Sequence, residues 1–218
     1  MNAHLALLLS SVYDGALAPT HRADLDRSGL AAETIRRQAI RSVPPAMIPR
    51  LLGFDPKAVT SALLFPFPDP AGGWLDHVRV KVFPPLSDAD GHTVRYLQPR
   101  GSGVRLYFVR DCLRAVREGD EPLYVAEGEK KALALAQLGL PVFGLCGIEG
   151  WHPCGSRALL PDFDQIRLAG RVVDLLPDGD WRSNPNVARA VARLHAALAQ
   201  RGAHPRLVAL PAAAAEVA

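Results

Sequence analysis

Cysteine is scarce in this chain, and long apolar runs are missing. Cys112, Cys146 and Cys154 are the three cysteines among 218 residues. So odd and sparse a count excludes a disulfide-stabilised framework and fits a reducing compartment. No apolar run reaches the roughly 18 residues of a membrane span, and the apolar stretch at residues 5–9 lacks the basic start and cleavage site of a signal peptide. These absences predict a cytoplasmic protein with no membrane partner.

The charge balance permits a polyanionic partner without requiring one. Hydrophobic residues make up 49% of the chain and charged residues 22%, an ordinary globular balance that excludes a wholly disordered protein. The formal net charge is only +3, and so weak an excess allows a polyanion such as nucleic acid without demanding it.

The first part of the chain, residues 1–118, predicts a basic lobe of short helices and antiparallel strands. Ser28 is predicted to cap the first helix. Val78, Val80 and Val82 alternate with charged residues and predict a strand with one buried face. The predicted helices cover 31–39 and 46–52, and the predicted strands cover 62–67, 77–83 and 93–98.

The second part, residues 119–218, alternates strands with helices and predicts a parallel sheet with right-handed crossovers. Leu133, Leu135 and Leu138 are predicted to face this sheet from the first helix. The predicted fold class is therefore α/β: a parallel sheet flanked by helices, preceded by a smaller α+β lobe with antiparallel strands. The predicted strands cover 123–126, 141–145, 171–176 and 206–210, and the predicted helices cover 128–138 and 186–201.

Two loops that follow strands of the predicted parallel sheet are acidic. Glu127 follows the first strand, and Asp178 and Asp180 follow the third. The carboxyl ends of parallel strands lie at one edge of a sheet, which is where such folds place their function. Carboxylates brought together repel unless a cation neutralises them, and oxygen ligands select Mg²⁺ or Mn²⁺. We therefore predict a metal site at Glu127, Asp178 and Asp180.

Each of these motifs also has a purely structural interpretation. Glu-Gly and Asp-Gly-Asp are common surface turns, and either one alone is typical of a solvated loop. The combination is more specific, because the glutamate and the Asp-x-Asp pair lie about 50 residues apart in one βαβ frame. His152-Pro-Cys154 is similar to part of a zinc site, but no second pair stands at ligand spacing, so we assign it a structural role.

The acidic motifs resemble those of the Toprim domain, the Mg²⁺-binding catalytic module of bacterial-type primases, topoisomerases and some nucleases. The nearest likeness is to the Toprim-like domain in replication proteins of phages, plasmids and integrated elements. The resemblance is weaker upstream, where it includes residues 21–30, 95–99 and 106–108. The Toprim-like segments are LYVAEGEKKALALAQLG at 123–139, VFGLCG at 142–147 and VVDLLPDGD at 172–180.

The resemblance implies roles for three acidic residues. Glu127 matches the catalytic acid of the family, and Asp178 and Asp180 match its metal-binding pair. Two departures favour a metal-binding remnant without catalysis. Ser183 stands where the usual Asp-x-Asp-x-x-Gly motif ends in glycine, and the sequence ends soon after Leu210, where relatives often continue with a further acidic stretch.

A basic strip precedes the acidic motifs and predicts contact with nucleic acid. Arginine forks pair with phosphate oxygens, and the positive end of the helix that Lys130 opens also favours phosphate. The alternative is a solvated arginine-rich face. The predicted phosphate-binding residues are Arg95, Arg100, Arg105 and Lys130, with Arg110, Arg114 and Arg117 continuing the strip and Tyr96, Tyr107 and Phe108 as stacking partners.

Together these features predict an enzyme of Mg²⁺- or Mn²⁺-dependent phosphodiester chemistry on nucleic acid. The resemblance implies primase-like nucleotidyl transfer in the replication of a mobile element. Single-stranded DNA would be the template, nucleoside triphosphates the substrates, and a replicative helicase a partner. Two alternatives stay open: a Toprim nuclease that cuts with the same acids, and a non-catalytic DNA-binding accessory domain. A binder of small phosphate compounds is disfavoured by the arginine strip.

Overall fold

The computed structural model describes residues 17–208 and divides the chain into two compact units, Met1–Gly103 and Val104–Ala218. Within residues 17–208, no helix is both long and apolar enough to cross a membrane. The first unit contains α1 (Pro19–Asp26), α2 (Ala32–Arg37), β1 (Arg41–Val43), α3 (Ile48–Leu52), β2 (Ser61–Pro68), β3 (Trp74–Ser87) and β4 (Thr93–Leu97). The second contains β5 (Tyr107–Phe108), α4 (Leu113–Glu118), β6 (Leu123–Glu127), α5 (Glu129–Gln137), β7 (Val142–Leu145), β8 (Val172–Leu176), α6 (Pro185–Gln200) and β9 (His204–Leu207).

The first unit is built on an antiparallel sheet in the order β1-β2-β3-β4. Val78, Val80 and Val82 of β3 are buried, which confirms the predicted apolar face. The opposite face of β3 is covered as well, because the ammonium of Lys81 lies 2.5 Å from the carboxylate of Asp24 in α1. Residues of α3 complete the core beneath the valine face.

The helical start of this unit differs from the prediction at two points. The sequence analysis did not predict α1, because the residues that α1 buries include the polar His21 and Asp24 and give no apolar stripe. The predicted capping role of Ser28 is wrong. Ala31 occupies the N-cap position of α2, and the Ser28 hydroxyl instead donates to the carbonyl of Asp24 at 3.3 Å.

The second unit contains a five-stranded sheet in the order β5-β7-β6-β8-β9. Its last four strands in the chain are parallel, and β5 joins the edge antiparallel to β7. The α/β fold class is therefore as predicted. Residues 104–118, which the sequence analysis assigned to the first part, group here with the second unit. The buried guanidinium of Arg171 contributes to this grouping by donating to the carbonyls of Ala115 and Val116 at the end of α4.

One predicted core position of α5 is wrong. Leu133 is fully buried, as predicted, but the side chain of Leu138 is 74% exposed. Leu138 is the C-cap residue of α5, and five residues of helix rotate a side chain by about 140° relative to Leu133. Leu138 therefore lies on the far side of α5 from the sheet.

Candidate active site

The sheet topology brings the predicted acidic loops to one edge. β6 pairs in parallel with β7 on one side and with β8 on the other. Glu127 at the end of β6 is in register with Leu145, and Ala126 is in register with Leu176. The loops that follow β6 and β8 therefore leave the sheet side by side, at its carboxyl edge.

Glu127 and Asp178 meet at this edge. The backbone N–H of Asp178 donates a hydrogen bond to Oε2 of Glu127 at 3.2 Å. The contact fixes the loop after β8 against the end of β6, and it leaves the carboxylate of Asp178 57% exposed. We refer to these two residues as the acidic edge. Their carboxylates are acceptors that can be shared by a ligand placed above the sheet.

Asp180 belongs to the same loop, but its side chain lies outside the part of the chain that the structure describes. Its backbone is in the 3₁₀ turn Gly179–Arg182. The N–H of Trp181 donates to the carbonyl of Asp178 at 3.2 Å and closes this turn. The role predicted for Asp180 therefore stays a prediction that rests on its sequence position two residues after Asp178.

The lysine that follows Lys130 in the chain lies at the acidic edge. The ammonium of Lys131, in the first turn of α5, contacts Oδ1 of Asp178. The side chain of Lys131 is 26% exposed. Lys130, the lysine predicted to bind phosphate, is half-buried in the same turn. A cation bound at Asp178 would therefore compete with the ammonium of Lys131.

Two glycines allow α5 to begin this close to the sheet. Gly128 has a φ of 97°, a conformation that side chains strongly disfavour, and its N–H donates to the carbonyl of Leu145 at 2.9 Å. A Cβ at Gly144 of β7 would lie 3.1 Å from the carbonyl oxygen of Gly128 and 3.3 Å from the Cβ of Ala132. The sharp turn from Glu127 into α5 therefore depends on both positions.

The acidic edge borders an apolar recess. Among the side chains that the structure describes, Glu127 is the one charged residue along it, and the remaining walls come from the strands, from α6 and from the loops that follow β7 and β8. Apolar walls reduce the local dielectric and strengthen the attraction between a carboxylate and a cation. The side-chain atoms that could bind a metal here are all carboxylate oxygens, which fits Mg²⁺ or Mn²⁺. The walls of the recess include Val125, Leu145, Ile148, Leu176 and Val191.

A second group of potential ligands lies in the first unit, in the turn between β3 and β4. Asp88, Asp90 and His92 are all exposed, and their candidate ligand atoms lie within 4.8 Å of one another. The carboxylate of Asp88 accepts the N–H groups of Asp90 and His92 at 3.0 and 2.8 Å. These hydrogen bonds from the Asp88 side chain to the backbone of its own turn explain why the three side chains lie close together without a metal.

The arginines of the predicted basic strip fall in both units. Arg95 in β4 and Arg100 after it are exposed in the first unit, and the guanidinium of Arg100 lies 5.7 Å from the ring centre of Phe54. Arg105 belongs to the second unit. Its Nε lies 2.9 Å and 3.0 Å from the two carboxylate oxygens of the buried Asp162, so its charge is already compensated.

Two of the predicted stacking partners are wrong. Tyr107 and Phe108 form β5, and both side chains are fully buried. Phe108 packs 6.3 Å from the ring of Phe143 in the neighbouring strand. Tyr96 is half-buried, and its ring lies beneath the guanidinium of Arg79. Pairing of β5 with β7 places the rings of Tyr107 and Phe108 in the core, where no nucleobase can reach them.

A comparison with family models matches residues 113–216 to a domain of unknown function, DUF3854. No curated protein matches the chain. The matched residues contain the acidic edge and all of the parallel strands.

Solved structures of primases share the fold. The structure of the DnaG catalytic core aligns with a TM-score of 0.63 at 20% identity, over 97% of this chain and 71% of that one. The zinc-binding and RNA polymerase domains of the Aquifex aeolicus primase align with a TM-score of 0.66 at 16% identity, over 97% of this chain and 55% of that one. A DnaG primase catalytic domain bound to single-stranded DNA aligns at 0.56 and 21% identity, over 97% of this chain and 72% of that one. These likenesses show that the chain shares the fold of these primase structures.

Proposed function

We propose that the chain carries out divalent-metal-dependent, primase-like nucleotidyl transfer on a single-stranded DNA template. The observation that carries the proposal is the contact between Glu127 and the N–H of Asp178 at the carboxyl edge of the parallel sheet. Functional residues of open α/β sheets gather at this edge. The primase-like fold supports assigning a primase-like reaction to these residues.

The residues of the acidic edge divide the chemical tasks. The carboxylates of Glu127, Asp178 and Asp180 would hold a divalent cation, which would neutralise the negative charge that develops on the phosphate oxygens as a 3′-hydroxyl attacks. The N–H of Asp178 bonds to Glu127, and the side chain of Asp178 is 57% exposed beside its contact with Lys131, so a ligand can reach its carboxylate. Lys131 supplies a positive charge that can move from Asp178 to a phosphate of a nucleoside triphosphate.

The template strand would be held by exposed arginines. Arg95 and Arg100 have open guanidinium groups in the first unit, whereas Arg105 would have to share its guanidinium between Asp162 and a phosphate. Lys130 adds a positive charge near the start of α5. Mobile-element replication and a helicase partner rest on the resemblance of the sequence motifs.

A non-catalytic, DNA-binding accessory domain is the second candidate. The observation that favours it is the ion pair between Lys131 and Asp178, because this ammonium already compensates one carboxylate of the edge. A carboxylate compensated in this way does not require a metal ion to offset its charge. The two candidates differ in whether the edge takes up a divalent cation.

One product assay separates these candidates. The protein is incubated with single-stranded DNA, labelled nucleoside triphosphates and Mn²⁺ or Mg²⁺, and extended and shortened products are scored together. New labelled strands support nucleotidyl transfer. Shortened DNA supports the nuclease alternative, and DNA that is bound but unchanged supports the accessory domain.

A further inference from the structure

A groove on the second unit carries a concentration of hydrogen-bond donors. It has a volume of about 330 Å³ and lies between the loop after β7 and the second half of α6. The polar side chains along it are His152, Ser156, Arg157, Arg193 and Gln200, over a floor that includes Trp151. Each of these five side chains carries a hydrogen-bond donor, although both ring nitrogens of His152 already face protein acceptors, the carbonyl of Pro153 and the carboxylate of Glu149. None of the residues that the structure places along the groove is acidic. We call it the α6 groove.

Glu149 holds two of the side chains that line the α6 groove. Glu149 contacts the guanidinium of Arg193 through one carboxylate oxygen and accepts from Nε2 of His152 at 3.1 Å through the other. The carboxylate therefore holds both side chains at the groove and compensates only one of the arginines. Arg157 on the opposite wall is exposed and makes no ion pair within residues 17–208.

The sequence of α6 adds to this positive potential. Its sixteen residues, Pro185–Gln200, contain no aspartate and no glutamate. Arg189 stands one turn before Arg193 on the same side of the helix. Arg193 and Gln200 follow the start of α6 by about 12 and 22 Å along the helix axis. The residues that the structure places along the groove do not include Glu127 or Asp178 of the acidic edge.

We propose that the α6 groove binds the phosphodiester backbone of single-stranded nucleic acid. Guanidinium groups on both walls can each take two phosphate oxygens, and a chain ligand carries the repeated charge that two separated arginines require. The identity of the ligand rests on the proposed function, whereas the anionic character of the ligand rests on the groove alone. Sequence reasoning missed this surface because Arg157 and Arg193 are 36 positions apart.

Salt-dependent binding of oligo-dT, measured by fluorescence anisotropy, tests the proposal. Each phosphate contact contributes about −0.7 to the slope of log K against log salt for a single strand. Arg157→Gln and Arg193→Gln should each flatten the slope by about 0.7, and the double variant by about 1.4. The matched control is Arg36→Gln, which removes an arginine that is 74% exposed on α2 and already pairs with Glu33, so the slope should stay as it is.

The outcomes separate this inference from the proposed function. A slope that is unchanged in the double variant overturns the groove, even if the parent protein synthesises labelled strands. If the parent protein makes no product, but the double variant has a flatter salt slope than the parent, the groove proposal stands and nucleotidyl transfer is rejected. Binding of free triphosphate in the groove without binding of oligo-dT also contradicts the inference, and is measured with a labelled nucleotide in the same variants.

Discussion

Lys131 and Asp178 are 47 positions apart in the chain, yet the ammonium of the first contacts the carboxylate of the second. The contact joins the first turn of α5 to the loop after β8, the two segments that flank Glu127. It gives the acidic edge an internal cation. Whether a divalent ion displaces this ammonium decides between a catalytic and a non-catalytic edge.

Replacing Lys131 should tighten binding of Mn²⁺. Partly exposed ion pairs contribute about 0.2–1 kcal/mol, so Lys131→Met should lower the Mn²⁺ dissociation constant by about 1.4- to 5-fold. Isothermal titration gives the constant directly. The control is Lys130→Met in the same helical turn, and weaker Mn²⁺ binding by Lys131→Met would show that the ammonium does not compete for Asp178.

Removing both aspartates of the β8 loop should abolish stabilisation by metal. A ligand that binds only the folded state at about 100 times its dissociation constant raises the free energy of unfolding by about 2.7 kcal/mol. The double variant Asp178→Asn, Asp180→Asn should lose this gain in a thermal melt with Mn²⁺. A double variant that responds to Mn²⁺ like the parent would place the metal elsewhere.

Gly144→Ala should destabilise the second unit. The new methyl group would lie 3.1 Å from the carbonyl oxygen of Gly128 and 3.3 Å from the Cβ atoms of Ala132 and Tyr107. Overpacking of this kind costs about 1–3 kcal/mol, which denaturant unfolding measures. Gly179→Ala is the matched control, because a Cβ there meets nothing within 4 Å. Equal unfolding free energies for the two variants would contradict the tight packing of α5 on β7.

Acid should weaken the first unit through His21. Burial lowers the pKa of His21 below its ordinary value of 6.5, with Asp24 opposing and Lys81 reinforcing the shift. The unfolded chain therefore takes up a proton more readily than the folded one. The contribution of His21 to the free energy of unfolding should be fully present above pH 6.5. It should fall as the pH drops from there towards the lowered pKa.

The structural cause of this pH dependence is a closed hydrogen-bond network. Nδ1 of His21 lies 2.7 Å from the hydroxyl of Ser42, and Nε2 lies 3.1 Å from the hydroxyl of Ser61. Denaturant unfolding at several pH values should show a shallower decline for His21→Gln than for the parent. His92→Gln, in an exposed turn, is the control, and an identical decline in parent and His21→Gln would exclude this histidine as the cause.

The acidic edge could be predicted from sequence because strand topology alone brings it together. Glu127 and Asp178 each follow a parallel strand, and neighbouring parallel strands end at the same edge. The pairs made by Lys131 and Arg105 could not be predicted in this way. Their partners, Asp178 and Asp162, come from distant loops whose course depends on tertiary packing.

The burial of β5 shows the same limit. Tyr107 and Phe108 lie within the arginine strip, between Arg105 and Arg110, and a two-residue strand has no period that would reveal its partner. Pairing with β7 takes both rings into the core. Local pattern therefore predicted the elements of each sheet better than it predicted which aromatic rings remain accessible.

The yield of labelled strands from Glu127→Gln tests the central claim most directly. The substitution keeps the size of the side chain and an oxygen that can accept the N–H of Asp178, but it removes the charge that a divalent ion requires. With single-stranded DNA, labelled nucleoside triphosphates and Mn²⁺, the account predicts synthesis by the parent and a loss of about 100-fold or more in the variant. Synthesis by Glu127→Gln at the rate of the parent would contradict the assignment of nucleotidyl transfer to the acidic edge.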